Sequence, residues 1–186
     1  MARIWRHPAA LPVLWGLSRD DVLVPQAGSG VPFTITTTPF VDANGYEALF
    51  LYREFAFDRP RRFVDTLRWD PERGCVVDLL GWRGHLAVDL TLAASDGNLA
   101  IHLGTQWLRV RDRYASLPRF LGASGTLLDS YDDDAEEFRV DASVDNTLLG
   151  RVFGYTGEFQ HAFSDGIDEA VASRHHRASS LPGGTR

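Results

Sequence analysis

Two charged residues occupy positions where the pattern calls for apolar ones. In the alternation Leu49, Leu51, Arg53, Phe55, Phe57, an arginine lies on the apolar face, and in Phe63, Asp65, Leu67, Trp69 an aspartate does the same. Side chains two apart on a strand share a face, so both charges are expected to point inward. A three-residue connection, Asp58–Pro60, would pair Phe57 with Arg61 and set Arg53 opposite Asp65. A buried charge has to be paired or hydrogen-bonded, because desolvating it alone costs several kcal/mol. Two readings follow: a charged anchor inside a ligand cavity, or a salt bridge that fixes strand register, the more ordinary of the two. Tyr155 falls on the same face as Phe153, Gly157 and Phe159. Thr105 and Trp107 continue the inward face of Leu99, Ile101 and Leu103. Arg119 lies in the one long connection, Val110–Ser124, which reads either as a lid over a barrel mouth or as a long crossover. The candidate ligand-binding residues are therefore Arg53, Asp65, Trp69, Thr105, Trp107, Arg119 and Tyr155.

Other chemistries find little support. The chain has nineteen basic residues, all arginine, so no Schiff-base or P-loop lysine exists in it. His85 and His102 fall on polar faces and out of register, which does not make a shared metal site. No zinc spacing, HExxH or nucleophile elbow occurs. Gly28-Ser29-Gly30 lacks the third glycine and the strand–helix setting of a dinucleotide fingerprint, and no cofactor is indicated. The acidic run from Asp132 to Asp134, followed by Glu136 and Glu137, lacks the alternating ligands of a calcium loop and reads as a solvated hairpin turn. Asp129 is expected to pair with Arg139 on the surface of that hairpin. Cys75, the only cysteine, reads as a small core residue of a strand.

The elements that would position these residues are strands. Asn44-Gly45 and Asp96-Gly97 signal two-residue hairpins, Asp70–Gly74 a longer turn, and Asp58–Pro60 and Gly81–Gly84 two more. Leu86, Val88, Leu90 and Leu92 alternate with polar or small neighbours, as do Phe138, Val140, Ala142 and Val144. Period two with one polar face marks antiparallel strands covered on one side. The expected fold is mainly β: a meander of about nine strands curling into an up-and-down, lipocalin-like barrel or a strongly curved sheet, because closure removes exposed edges. Residues 1–30 are expected to form an N-terminal docking segment with a short helix within 8–17, and residues 31–163 the β domain. Residues 164–186 are expected to form a short helix and a disordered tail.

Composition sets the outer bounds. Hydrophobic residues make up 44% and aromatics 11%, enough for a substantial core or an aromatic-lined cavity. A net charge of −6 argues against nonspecific nucleic-acid binding, which needs a basic face. The apolar run Ala9–Leu17 is too short to span a bilayer. A single cysteine suits a reducing cytoplasm.

Several stretches in order resemble the bacterial domain-of-unknown-function family 4166. They are Gly30–Ile35, Tyr52-Arg53-Glu54-Phe55, Arg61–Asp65, Val77–Gly81 with Leu86–Asp89, Tyr131–Asp134 with Phe138–Val140, and Phe153–Phe159. The resemblance covers roughly Arg3 to Phe159 and implies no activity. Some relatives are fused to a saccharopine-dehydrogenase-like module, which implies a possible protein partner. Three functions are thus in view. The first is a barrel holding a small, largely apolar or aromatic ligand in a cavity of ~300 Å³ or more. The second is an enzyme using that cavity, with Asp65 accepting a proton and Arg53 holding an anion. The third is an accessory module docking on a dehydrogenase-like protein, with Trp5, Trp15 or Trp82 in an exposed apolar patch.

Overall fold

A computed structural model describes residues 1–162, except Ala43, Asp112 and Arg119. The expected terminal helix and tail, and Arg119, therefore lie outside the described residues. The remainder is one antiparallel sheet of twelve strands. In chain order these are β1 (Ala2–Arg6), β2 (Gly28–Val31), β3 (Phe33–Val41), β4 (Glu47–Phe55), β5 (Arg61–Asp70) and β6 (Cys75–Leu80). Then come β7 (Leu86–Ser95), β8 (Asn98–Val110), β9 (Arg113–Ser116), β10 (Ala123–Asp132), β11 (Glu137–Asn146) and β12 (Gly150–Phe159). The nine expected strands are all present. Added to them are β1, β2 and β9, which are only four or five residues long. β1 pairs with β12 at the far end of the chain, so its pairing has no local signal.

The sheet order is β2-β1-β12-β11-β10-β8-β7-β6-β5-β4-β3, with β9 attached to β8. Six strands stand between β12 and β4 in that order. Even so, the Phe55 ring of β4 meets Tyr155 of β12 edge-on at 5.9 Å, and Phe33 of β3 meets Phe159 at 5.9 Å. Only a strongly coiled sheet brings these strands together, and the result is a nearly closed barrel. The close approach needs Gly157, because a Cβ there would lie 2.5 Å from the Phe33 ring. Phe55 and Phe153 are fully buried in the seam with Ile4, Val24, Val31, Val140 and Tyr155. Burying a phenylalanine side chain contributes about 1.5–3 kcal/mol, so these rings hold the curl closed.

The turns explain both the registers and the faces. Asp96 (φ 49°) and Gly97 (φ 76°) form the expected two-residue type I′ turn between Ser95 and Asn98. The Asn44-Gly45 turn is longer than a two-residue hairpin: Val41 pairs with Glu47, and the Asp42 carboxylate accepts the Asn44 and Tyr46 N–H groups. The β4–β5 connection takes five residues instead of three, so Phe55, not Phe57, stands opposite Arg61. β8 carries a bulge: Val88 pairs with Gln106 but Leu90 with Leu103, so Asp89 faces two residues, Gly104 and Thr105. One extra residue moves every later side chain to the other face.

The expected helical segment at the N-terminus is a 3₁₀ turn, Pro8–Ala10, followed by α1 (Leu11–Leu17) with Pro12 in its first turn. The chain then crosses back. The Asp21 carboxylate accepts the Trp82 indole N–H at 2.8 Å, Arg6 donates to the Pro25 carbonyl, and Leu23 and Val24 join the interior cluster. A second apolar cluster, Val77, Leu79 and Ala87, sits on the outer face with half-buried Cys75, Trp107 and Tyr114 against it. Part of the long connection after β8 folds back as β9, which places the Tyr114 hydroxyl on the Gly84 carbonyl at 2.6 Å.

Candidate interior site

Strand alternation carries Arg53 and Asp65 inward. Arg53 Nη1 donates to Asp65 Oδ2 at 2.8 Å, and both residues are buried, at 7% and 3% exposure. They are diagonal neighbours rather than directly opposed: Arg53 stands opposite Phe63, and Asp65 opposite Leu51. The expected register is two residues off, but an even error preserves the face. The Arg53 guanidinium also stacks on the Phe63 ring, 4.6 Å from its centroid, which shields it further from water.

Three more ionisable groups share this interior. Asp78 of β6 follows the same face, between Leu67 of β5 and Val88 of β7. Asp129 of β10 stands between Leu99 and Val140, and Tyr155 of β12 between Ala142 and Ile4. Asp129 does not pair with Arg139. Their register differs by one position, and Arg139 instead bonds Asp132 at 2.7 Å and Glu158 at 3.5 Å on the outer face. The inner cluster thus gathers Arg53, Asp65 and Asp78 from one wall and Asp129 and Tyr155 from the other.

Its electrostatics are unbalanced, with three carboxyls against one guanidinium. Burial pushes Asp78 well above the usual carboxylate range, and the nearby Asp65 charge adds to this. Burial also pushes Asp65 and Asp129 up, each opposed by Arg53. For Arg53, burial works downward, but the Asp65 charge, with help from Tyr155 and Asp78, holds its pKa above the ordinary value. Burial raises Tyr155 as well. Asp65 Oδ1, Asp78 Oδ1 and the Tyr155 hydroxyl are buried without a hydrogen-bond partner. A buried acceptor left unmade costs about 1–3 kcal/mol, more when charged.

Around this cluster the inner face is apolar and incompletely covered. Leu67, Leu80, Leu99, Ile101, Leu103 and Leu127 are only half-buried, and Leu92 is 40% exposed. Trp69 shares this face but lies at its margin, 52% exposed. Thr105 and Trp107 do not belong here. Thr105 is an exposed bulge residue, and the same bulge turns Trp107 outward. There its indole N–H donates to Asp89 at 3.2 Å and Arg73 lies over its ring at 5.6 Å. Gln106 takes the inner position instead and bridges β8 to β10, accepting from the Ala123 N–H at 2.7 Å and donating to its carbonyl. Sequence reasoning missed Asp78 and Asp129. The available signal was the alternation Val76, Asp78, Leu80 and Leu127, Asp129, Tyr131, which has the same form as the one that exposed Asp65.

Elsewhere, an outer-face groove of about 430 Å³ runs between β1 and β10–β12, lined by Arg3, Leu128, Arg139, Asp141, Thr156 and Glu158 among others. Among the described residues no cluster of three His, Cys, Asp or Glu side chains could hold a metal ion, and no helix is long and apolar enough to cross a membrane. Of the tryptophans expected in a docking patch, Trp5 (43%) and Trp15 (47%) are exposed, whereas Trp82 packs on Phe50 and Tyr52.

Comparison with known proteins agrees with the order of motifs read from the sequence. Residues 1–159 match the family described as "Domain of unknown function (DUF4166)". The chain is 32% identical over 138 residues to "Uncharacterized protein YndH" of Bacillus subtilis (strain 168), covering 73% of this chain and 67% of that protein. No solved structure matches the chain. The matched region spans β1 to β12, and with it every residue of the interior cluster, so the chain belongs to the DUF4166 family.

Proposed function

We propose that this domain is a ligand-binding barrel that holds a small, largely apolar molecule on its inner face. The observation that carries the reading is the pairing of a half-open apolar wall with a buried polar cluster whose acceptors lack partners. A solid core would bury Leu67, Leu99, Ile101 and Leu127 fully and would satisfy Asp65 Oδ1 and Tyr155 Oη. Ligand pockets combine a mostly apolar lining with a few convergent polar groups in this way. The test is thermal denaturation with decanol and with naphthalene as probes. The expected result is a rise in midpoint for at least one of them, abolished by Leu127→Trp, which fills the space. No rise with either probe in the wild-type protein would count against the reading.

A second reading, catalysis in the same interior, draws on Asp78. Arg53 occupies Asp65 Oδ2 and opposes the upward push that burial gives this carboxyl. Asp78, a buried carboxyl that stays protonated well above the usual range, is better suited to donate a proton. Its test is hydrolysis of p-nitrophenyl hexanoate, expected to fall in Asp78→Asn; equal turnover by the two proteins would count against it.

A further inference from the structure

The polar groups that the barrel turns inward are unequal in kind. Arg53 is committed to Asp65 Oδ2 at 2.8 Å, and it is the one cationic side chain of the cluster. Left over are Asp65 Oδ1 and Asp78 Oδ1, both buried and unpartnered, together with the Tyr155 hydroxyl and the half-buried Asp129 carboxyl. An ionised carboxylate only accepts hydrogen bonds, so the group that completes this site has to donate them. With three carboxyls against one guanidinium, an anion would be repelled, and a neutral donor would gain nothing from the excess of carboxyls. A compact cation with several donors answers both deficits.

We propose that the interior ligand is an amphiphilic primary amine, its ammonium head seated against Asp65 and Asp78, with the Asp129 carboxyl facing it from the opposite wall, and its apolar body lying on Leu99, Ile101 and Leu127. This rests on the ligand-binding reading above and names the head group that such a ligand carries. Binding is linked to a proton. Burial shifts Asp78 toward its protonated form and a neighbouring ammonium favours the carboxylate, so binding is expected to break the Asp78 O–H bond and pass its proton to the buffer. The groups that set this protonation are Arg53 of β4, Asp65 of β5, Asp129 of β10 and Tyr155 of β12.

Calorimetry with three probes of equal chain length tests it: hexylamine, hexanol and hexanoate. Each is titrated into the full chain below and above neutrality, in phosphate and in MOPS, whose ionisation heats differ. The expected result is that hexylammonium binds about 10-fold or more tightly than hexanol. Hexanoate is expected to bind least, and the heat with hexylamine to report proton release to the buffer. Asp78→Asn abolishes the release, and Asp129→Asn, on the opposite wall, weakens hexylamine without weakening hexanol. Hexanol or hexanoate binding as tightly as hexylamine overturns the amine assignment and leaves the pocket standing. Absence of binding by all three overturns both.

Discussion

The Asp65 carboxylate is held by Arg53 through one oxygen, Oδ2, at 2.8 Å, while its other oxygen, Oδ1, is buried and accepts nothing. Here half of the carboxylate is left facing the interior, within reach of Asp78 and Tyr155 electrostatically.

Removing one partner of this pair strands the other in a low-dielectric interior. Arg53→Ala or Asp65→Ala is expected to cost about 3–5 kcal/mol, measured by urea denaturation. The double replacement Arg53→Met with Asp65→Leu is expected to recover part of that loss, because neither member of the pair is left buried without the other. A double variant as unstable as the sum of the singles would show that packing, not charge burial, sets the cost.

The raised carboxyls fix the sign of a pH dependence. For Asp78, Asp65 and Asp129 the folded-state value lies above the unfolded one, so the folded protein keeps protons that the unfolded chain releases. Their contribution is fully present below about pH 4, the unfolded value, and is lost as pH rises through the folded values. Asp78→Asn removes that loss, so its stability relative to wild type is expected to increase as pH rises. Asp42 behaves oppositely. Burial opposes its ionisation, but the Tyr46 and Asn44 N–H groups and Arg68 hold its carboxyl low, so its contribution is lost as pH falls. Denaturation midpoints across a pH series check both signs, and parallel curves for wild type and Asp78→Asn would contradict the first.

The seam that closes the barrel should be sensitive to a single methyl group. Gly157→Ala places a Cβ against the Phe33 ring and is expected to destabilise by about 1–3 kcal/mol. Adding Phe33→Leu should relieve part of that cost, giving a favourable coupling in a double-mutant cycle.

The two tryptophans expected from the sequence to line the site should separate experimentally. Trp107 packs on the outer face, so Trp107→Ala is expected to cost about 2–3 kcal/mol without changing the affinity of interior probes. Trp69 lies at the inner margin and is half exposed. Trp69→Ala is therefore expected to change stability by less than about 1 kcal/mol and to weaken a bound apolar probe by about 5-fold.

These contrasts mark how far the sequence could be read. The inward direction of Arg53, Asp65 and Tyr155 was legible because alternation is a local property that tolerates an even error in register. The β4–β5 loop proved two residues longer than its Asp-Arg-Pro signal implied, and the face survived. The position of Trp107 was not legible, because the bulge at Gly104 and Thr105 is an odd step that no alternation announces. Asp129 was misplaced for a related reason. A one-residue difference in the β10–β11 pairing decides whether it faces Arg139 or the interior. Asp78 was visible in the same pattern as Asp65, but its weight comes from Arg53 and Asp65 lying beside it, which is a long-range fact.

The most direct measurement is a fluorescence titration with N-phenyl-1-naphthylamine, a neutral apolar dye that brightens out of water. Saturable one-to-one binding is predicted for the wild-type domain, lost in Leu127→Trp and retained in Trp107→Phe. A signal that never saturates, or one that Leu127→Trp leaves unchanged, would contradict an interior binding site.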